Sequence, residues 1–280
     1  MMTGTPSLPQ FQAFVLNLMA PTLAQFGNWN TTVPLDHMGL LELNTILKGA
    51  LALGDPTTLR IAQELFSQLQ SGAVQTLDAS ILSAVYTAGA LSGDQVAYNW
   101  LVSKYISTSF ATDKQTLMQA MAAASTSVSL PPPPNFFSSS LLSPTFYPFF
   151  LALSLSLIQQ TLEFAISPSV RMQDSTRLIS WVSMNPNGKE AAWSFVKASW
   201  PLIVERYGEG GFYLSSLIET VVGRLGTQKD RDDAAAFFQA NPIPTASDAV
   251  SNALGFVDAN IAWAEHSLPL ISYWLSTNSL

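Results

Sequence analysis

Apolar residues recur at helical spacing along most of the chain, and no run alternates apolar and polar residues over the length of a strand. The pattern is clearest in residues 170–207, where Leu178, Ile179 and Val182 predict one face of a helix. The turn 185–188 (Asn-Pro-Asn-Gly) should end this helix, because proline disfavours helical conformation in the residue before it. A second helix should follow, with an apolar face formed by Ala192, Phe195, Val196, Trp200, Ile203 and Val204.

Several residues of this helix pair have predicted structural roles. Asp174, which follows Gln173, is predicted to be the N-cap of the first helix, where its carboxylate can accept from free backbone N–H groups. Gly188 is predicted to adopt a positive φ in the turn, at no steric cost. Trp193 and Trp200 are expected to pack in the core, as aromatic residues on an apolar helix face usually do. Because the pair is apolar on one side only, it requires neighbouring helices.

The same spacing predicts further helices, separated by short turns, on both sides of this pair. They cover residues 11–26, 36–53, from 57 or 58 to about 69, 78–90, 95–107, 113–125, 159–166, 212–225, 229–239, 246–263 and 268–275. Stacked antiparallel helix pairs form superhelices of the HEAT and armadillo type. The prediction is therefore an all-α fold, an α-solenoid, with residues 1–280 in a single domain.

Composition narrows the possible functions. Only 11% of the residues are charged, against about 25% in average soluble proteins, and 48% are hydrophobic, which permits a large core. The net charge of −7 and the absence of a basic run argue against a nucleic-acid surface, which needs clustered Lys and Arg. Without cysteine, disulfides and thiolate metal sites are excluded. The first residues lack the order of a signal peptide, so a cytoplasmic location is predicted.

Catalytic motifs are missing from the sequence. His37 and His266 each lack a second histidine nearby, so the helical zinc motif H-E-x-x-H cannot be written. No G-x-S-x-G elbow is present for a serine hydrolase. The glycine-rich segment 208–211 follows a helix instead of a strand, so a connector is favoured over a phosphate loop. The three aspartates at 230, 232 and 233 are interpreted as the start of a helix, where they complement its dipole.

Residues 131–157 break the helical pattern with a segment of mostly Pro, Phe, Ser and Leu and no charge. Four consecutive prolines favour polyproline II. The apolar run 146–158 is shorter than the roughly 20 residues of a membrane span, and Pro148 interrupts it. No membrane span is predicted, which leaves a buried helix, an interfacial helix or a disordered insert as alternatives.

Four motifs in and after the central helix pair resemble a known family when taken in order. They are V-R-x-Q-D from Val170, N-P-x-G from Asn185, A-A-W-x-F-V-K-x-x-W from Ala191 and R-Y-G-x-G-G-F from Arg206. Together they resemble the C-terminal helical domain of the M1 (gluzincin) zinc aminopeptidases, in the puromycin-sensitive and alanyl aminopeptidase branch. Residues 131–157 have no counterpart in that pattern. We hypothesise a retained intron or gene-model error, which a peptide from inside the segment, detected at the protein level, would exclude.

The resemblance implies a non-catalytic role. In that family the helical domain resembles a bowl that closes over the catalytic domain and bounds the peptide chamber. The zinc ligands and the catalytic tyrosine belong to other domains, so no catalytic, metal-binding or cofactor-binding residue is expected here, and the chain alone should not be an enzyme. The implied partners are the catalytic domain and a peptide. The alternative is a free-standing helical scaffold that binds a peptide or protein on its concave face.

One residue is a candidate for contact with a substrate. If Arg171 faces the chamber, its guanidinium could bind a peptide carboxylate bidentately. In the structural interpretation, which we favour, Arg171 pairs with an acidic neighbour while Asp174 caps its helix.

Overall fold

The computed structural model describes residues 2, 5–27, 29, 36–124, 156–208 and 211–278. These residues form helices and connecting turns without a strand, so the all-α prediction is confirmed. The helices are α1 (Leu8–Gln25), α2 (His37–Leu53), α3 (Pro56–Ser71), α4 (Ala79–Leu91), α5 (Gln95–Ser107), α6 (Ala111–Ala122), α7 (Leu157–Ala165), α8 (Met172–Met184), α9 (Lys189–Ala198), α10 (Trp200–Tyr207), α11 (Phe212–Val222), α12 (Gln228–Ala240) and α13 (Ser247–Thr277). A short 3-10 turn, Pro244–Ala246, precedes α13.

Aspartate caps begin four consecutive helices. The side chains of Asp36, Asp55, Asp78 and Asp94 accept backbone N–H groups of α2, α3, α4 and α5. Such a cap stabilises a helix by about 1 kcal/mol. α3 was predicted to begin at residue 57 or 58, but it begins at Pro56, and its cap Asp55 accepts from the backbone N–H of Thr58 at 2.7 Å. Proline at the first position of α3 has a fixed φ that suits a helix start.

The helices form two layers. In the first layer, α2, α4, α6, α8, α11 and α13 pack side by side in this order, and α1 contacts both α2 and α13. In the second layer, α3, α5, α7, α9, α10 and α12 pack against the outside of the first. Since each helix of the first layer contacts the next and α1 joins its two ends, the first layer is a closed ring.

Two contacts close this ring between α1 and α13. The hydroxyl of Ser7 donates to the hydroxyl of Ser272 over 2.7 Å. The rings of Phe14 and Trp274 meet edge to face with centroids 5.1 Å apart, an arrangement that aromatic pairs favour. The first and last helices of the chain are thereby held together.

The predicted helix after Gly188 is in fact two helices. α9 ends at Ala198 and α10 begins at Trp200, because Ser199 has a φ of −96° and a ψ of 10°. Pro201 has no N–H to donate to the carbonyl of Lys197, which removes one bond of the helical ladder at this point. The prediction of one helix to residue 207 is therefore wrong.

Towards the C-terminus, two helices were predicted where the structure has one. The predicted helices 246–263 and 268–275 form the single helix α13, which contains Pro269. Pro269 leaves the carbonyl of Glu265 without its helical donor, and both residues are exposed. Water can bond to that carbonyl, so the helix continues through the proline.

Gly188 is required for a different reason from the predicted one. Its φ is −99°, not positive. A Cβ at this position would lie 2.3 Å from the carbonyl oxygen of Val182 and 2.9 Å from its Cγ1. The turn between α8 and α9 therefore brings two backbone segments closer than any side chain permits.

An aromatic cluster joins α9 and α10 to α12. Trp193 and Trp200 are 4% and 5% exposed, and both rings contact Phe237 and Phe238 with centroids 5.3–5.9 Å apart. Asp233, predicted to serve only the helix start, accepts from Trp193 Nε1 and from Lys197 Nζ, each at 2.7 Å. The hydrogen bond from Lys197 is the main reason that the pKa of Asp233 is lowered.

The structure shortens the insert at its C-terminal side. Ser156 caps α7 in a capping box with Gln159, and Leu157 is fully buried. Ser156 and Leu157 therefore belong to the helical fold, although the sequence pattern placed Leu157 in the insert. Residues 125–155, which hold the rest of the insert, lie outside the described part of the chain. Among the described helices, none combines the length and apolarity needed to cross a membrane.

Substitution of Gly188 tests the close approach at the turn. Gly188→Ala should lower the free energy of unfolding by about 1–3 kcal/mol, because the new methyl group overlaps the Val182 carbonyl. Gly255→Ala is the matched control: nothing lies within 4 Å of its Cβ position inside α13, so this change should be neutral or stabilise by up to about 1 kcal/mol. Urea unfolding followed by circular dichroism measures both, and equal stability of Gly188→Ala and the parent chain would contradict the geometry.

Candidate functional site

The candidate site lies where the start of α8 meets the end of α5 and the start of α6. Its members, called here the Arg171 site, are Tyr105, Lys114, Arg171, Asp174 and Arg177. Four of the five carry formal charge, in a chain with only 11% charged residues. The site therefore concentrates charge that is scarce elsewhere.

Asp174 is the buried centre of the site. It is the third residue of α8 and not its N-cap, so the predicted cap is wrong. Arg171 occupies the N-cap position with extended backbone, and its side chain makes no capping hydrogen bond. The carboxylate of Asp174 is 4% exposed and accepts from Arg171 Nε at 2.7 Å. An acidic residue in the first turn also complements the helix dipole.

The two arginines of the site differ in how firmly they are held. Arg171 uses Nε for its ion pair with Asp174, and half of its side chain is exposed. Arg177 lies about one helical turn beyond Asp174, with NH1 at 3.9 Å from Asp174 Oδ1 and a similar exposure. Asp174 therefore fixes Arg171 tightly and Arg177 loosely, and both guanidinium groups keep donors free for another acceptor.

Tyr105, on α5 of the second layer, lies close enough to Asp174 and Arg171 for their charges to act on its hydroxyl. The tyrosine is fully buried, and its hydroxyl has no hydrogen-bond partner among the described residues. Burial raises the pKa of Tyr105, and the nearby charge of Asp174 raises it further, while Arg171 opposes this. Lys114 Nζ donates to the carbonyl of Tyr105 at 3.0 Å and lies 4.2 Å from the centre of its ring.

Hydrogen bonds from α10 hold the neighbouring chain segments in place. The hydroxyl of Tyr207 donates to Ser175 Oγ at 2.6 Å, inside the core beside Asp174. Arg206 NH1 donates to the carbonyl of Ile166 at 2.6 Å, at the end of α7. These contacts fix the ends of α7 and α10 against the start of α8.

Gln173, the remaining predicted site residue on α8, lies on an exposed stripe of that helix. We call Gln173, Arg177, Trp181 and Met184 the α8 stripe; Trp181 is partly buried and the other three are exposed. They recur at three- and four-residue intervals and so share one face. The other sides of α8 pack on α6, α7, α9 and α11. The stripe faces away from the second layer, and since the first layer is closed, it faces the interior of the ring.

The described residues contain no group of three or more His, Cys, Asp or Glu side chains arranged to hold a metal ion. His37 and His266 are both exposed and lie on different helices, α2 and α13. The chemistry of the Arg171 site is instead that of guanidinium groups, which bind carboxylates by paired hydrogen bonds.

Removal of the Asp174 charge tests its role as the centre of the site. Asp174→Asn should lower the free energy of unfolding by about 1–3 kcal/mol, because the buried acceptor of the hydrogen bond from Arg171 loses its negative charge. Glu64→Gln provides the control, since the Arg60–Glu64 pair is exposed on both sides and such pairs contribute about 0.3–0.5 kcal/mol. Urea titration of both variants measures the difference, and a smaller effect at Asp174 than at Glu64 would contradict this role.

Comparison with known proteins gives a match over most of the chain. The model of the family described as the ERAP1-like C-terminal domain matches residues 1–130 and 153–258. The unmatched residues 131–152 fall within the segment that breaks the helical pattern. The hypothesis of a retained intron or gene-model error stays a prediction.

The similar proteins are aminopeptidases. Glutamyl aminopeptidase of Bitis rhinoceros is 27% identical over 273 residues, which cover 96% of this chain. Endoplasmic reticulum aminopeptidase 2 of Bos taurus is 23% identical over 84% of the chain, and aminopeptidase N of Bos taurus is 22% identical over 96%. The matched regions are 25%, 22% and 26% of these relatives, so the chain spans about a quarter of their length.

These comparisons support the M1 aminopeptidases as relatives without selecting the puromycin-sensitive branch, which stays a prediction. The helical fold and the match over both flanks of the insert agree with one another. The chain belongs to the ERAP1-like C-terminal domain family.

Proposed function

We propose that this chain is the non-catalytic C-terminal domain of a zinc aminopeptidase, and that it closes over the catalytic domain and shapes the peptide chamber. Membership in the ERAP1-like C-terminal domain family is the observation that carries this proposal. The closed first layer supports it further, because a ring of helices encloses an interior surface. Zinc belongs to the catalytic domain of the whole enzyme, and this chain contributes no cofactor ligand.

The α8 stripe and Arg171 supply the chamber with hydrogen-bond donors. Arg171 donates to Asp174 through Nε, so its two terminal nitrogens can donate to a peptide carboxylate. Arg177, six residues further along the chain, adds a second guanidinium that Asp174 holds only loosely. A peptide that enters far enough to reach α8 meets both cations. The proposed substrate class is therefore a peptide whose carboxylate extends beyond the reacting end.

The same arrangement gives Arg171 a structural role, which we still favour. Its ion pair neutralises the buried carboxylate of Asp174, and an unpaired buried charge is costly. Both roles use different nitrogens of one side chain, so they do not conflict. Kinetic measurements on a complete enzyme distinguish the two roles.

An activity assay tests the non-catalytic role. The purified chain, with zinc added, should not hydrolyse aminoacyl substrates such as glutamyl- or alanyl-anilides, because the proposed function places the chemistry in another domain. Release of the anilide is measured by absorbance, with a complete aminopeptidase as the positive control. Zinc-dependent turnover by the chain alone would overturn the proposal. The family membership would still stand.

Arginine substitutions in the complete enzyme test the contact with peptide. Arg171→Ala should raise KM for long peptides about tenfold, which corresponds to about 1.4 kcal/mol, and leave short anilide substrates unchanged. Arg171→Lys keeps the charge that pairs with Asp174 but loses the forked geometry, so it should show part of the effect without unfolding. The control is Arg60→Ala, which removes an exposed arginine of α3. Unchanged KM for long peptides in both Arg171 variants would exclude the contact.

A further inference from the structure

A cleft opens between α7 and α9, in the second layer of helices. Its volume is about 400 Å³, within the range of small ligand pockets. The lining residues are Gln159, Leu162, Glu163, Glu190, Ala191, Ser194, Phe195 and Ala198. Leu162, Ala191 and Phe195 form an apolar floor, and polar groups from both helices form the rim.

The cleft lining includes two carboxylates, one from each helix: Glu163 of α7 and Glu190 of α9. Among the residues that the structure describes, Glu163 and Glu190 have no ion-pair or hydrogen-bond partner. The nearest cations along α9 do not neutralise them: Lys197 is paired with Asp233, and Lys189 forms no ion pair with either glutamate in the described structure. The cleft therefore holds uncompensated negative charge above an apolar surface.

Partial burial affects one of the two carboxylates. It raises the pKa of Glu163, because a carboxylate that loses contact with water is less stable in its charged form. A cation that enters the cleft would restore the lost solvation, and its interaction with Glu163 would be screened less than on an open surface. An anion or a purely apolar ligand would leave the two carboxylates uncompensated.

The cleft is separate from the Arg171 site and from the α8 stripe. It lies on helices of the second layer, whereas the stripe lies on the first layer and faces the interior of the ring. A peptide held in the interior therefore does not fill it. A second copy of this chain is also a poor occupant, since the chain has 12 Lys and Arg against 19 Asp and Glu.

We propose that the cleft between α7 and α9 binds a basic amphipathic segment of a partner protein. In this complex a Lys or Arg side chain lies between Glu163 and Glu190, and the neighbouring apolar side chains of the segment pack on Leu162 and Phe195. The combination of charge and apolar contact is what distinguishes such a segment from a simple cation. The proposal goes beyond the proposed chamber function and does not depend on it.

A blocked peptide, acetyl-Leu-Arg-Leu-amide, is the probe. It has no free amino or carboxyl terminus, so it cannot bind as an aminopeptidase substrate or reach an arginine through a carboxylate. Isothermal titration at low ionic strength, with the complete chain, should detect binding of this peptide and not of acetyl-Leu-Glu-Leu-amide. Glu163→Gln and Glu190→Gln should each weaken the Kd about 3- to 5-fold, the range for partly exposed ion pairs.

Two further variants make the test specific for the cleft. Glu42→Gln, which changes an exposed carboxylate on α2, should leave the Kd unchanged. Ser194→Trp places a large side chain in the cleft from an exposed position and should abolish binding, while circular dichroism confirms an unchanged helical fold.

Several results would overturn the proposal. They are the absence of binding at millimolar peptide, an equal Kd in all four variants, and equally strong binding of spermidine, which carries charge without apolar side chains. Self-association of the chain that Glu163→Gln abolishes would also overturn it, because the occupant would then be a second copy. None of these outcomes bears on activity in the peptide chamber.

Discussion

Every helix of this chain must be covered on its apolar side, and this requirement determines the whole architecture. Helices that are apolar along one face cannot fold alone in water, so stability comes from packing against neighbours. α8 shows the result most clearly, since it contacts four helices and, apart from its first residue, leaves one stripe exposed. With a chain of low charge, few ion pairs contribute, and the buried contacts between layers carry the stability. Function follows from the surface that this packing leaves open.

Local signals were readable from the sequence, and contacts between distant segments were not. The helices predicted to begin at residues 36 and 78 begin one residue later, capped by Asp36 and Asp78, because capping depends on the few residues that follow. α10 begins just before Pro201, whereas α13 continues through Pro269, although both prolines are exposed. A proline in the sequence therefore does not by itself fix the end of a helix. The burial of Tyr105 against Asp174 depends on two helices from distant parts of the chain. The pattern of apolar and polar residues within either helix does not predict it.

The insert illustrates how tertiary contacts tolerate an interruption. Thr161 Oγ1 on α7 lies 3.4 Å from the carbonyl of Met121 on α6, and Asn185 Nδ2 donates to the carbonyls of Ala122 and Ala124. Both flanks of residues 125–155 are thus held by bonds from other elements. The ends of α6 and α7 are therefore joined by contacts that do not involve residues 125–155.

Closure of the first layer between α1 and α13 is the feature on which an interior surface depends. The chain has no cysteine, so a disulfide placed at Ser7 and Ser272, whose hydroxyl oxygens are 2.7 Å apart, reports this contact alone. After oxidation, the double variant Ser7→Cys with Ser272→Cys should run as a monomer with an internal disulfide, unchanged circular dichroism and a raised Tm. Disulfides that form only between molecules, or a loss of helical signal on oxidation, would contradict the closed ring.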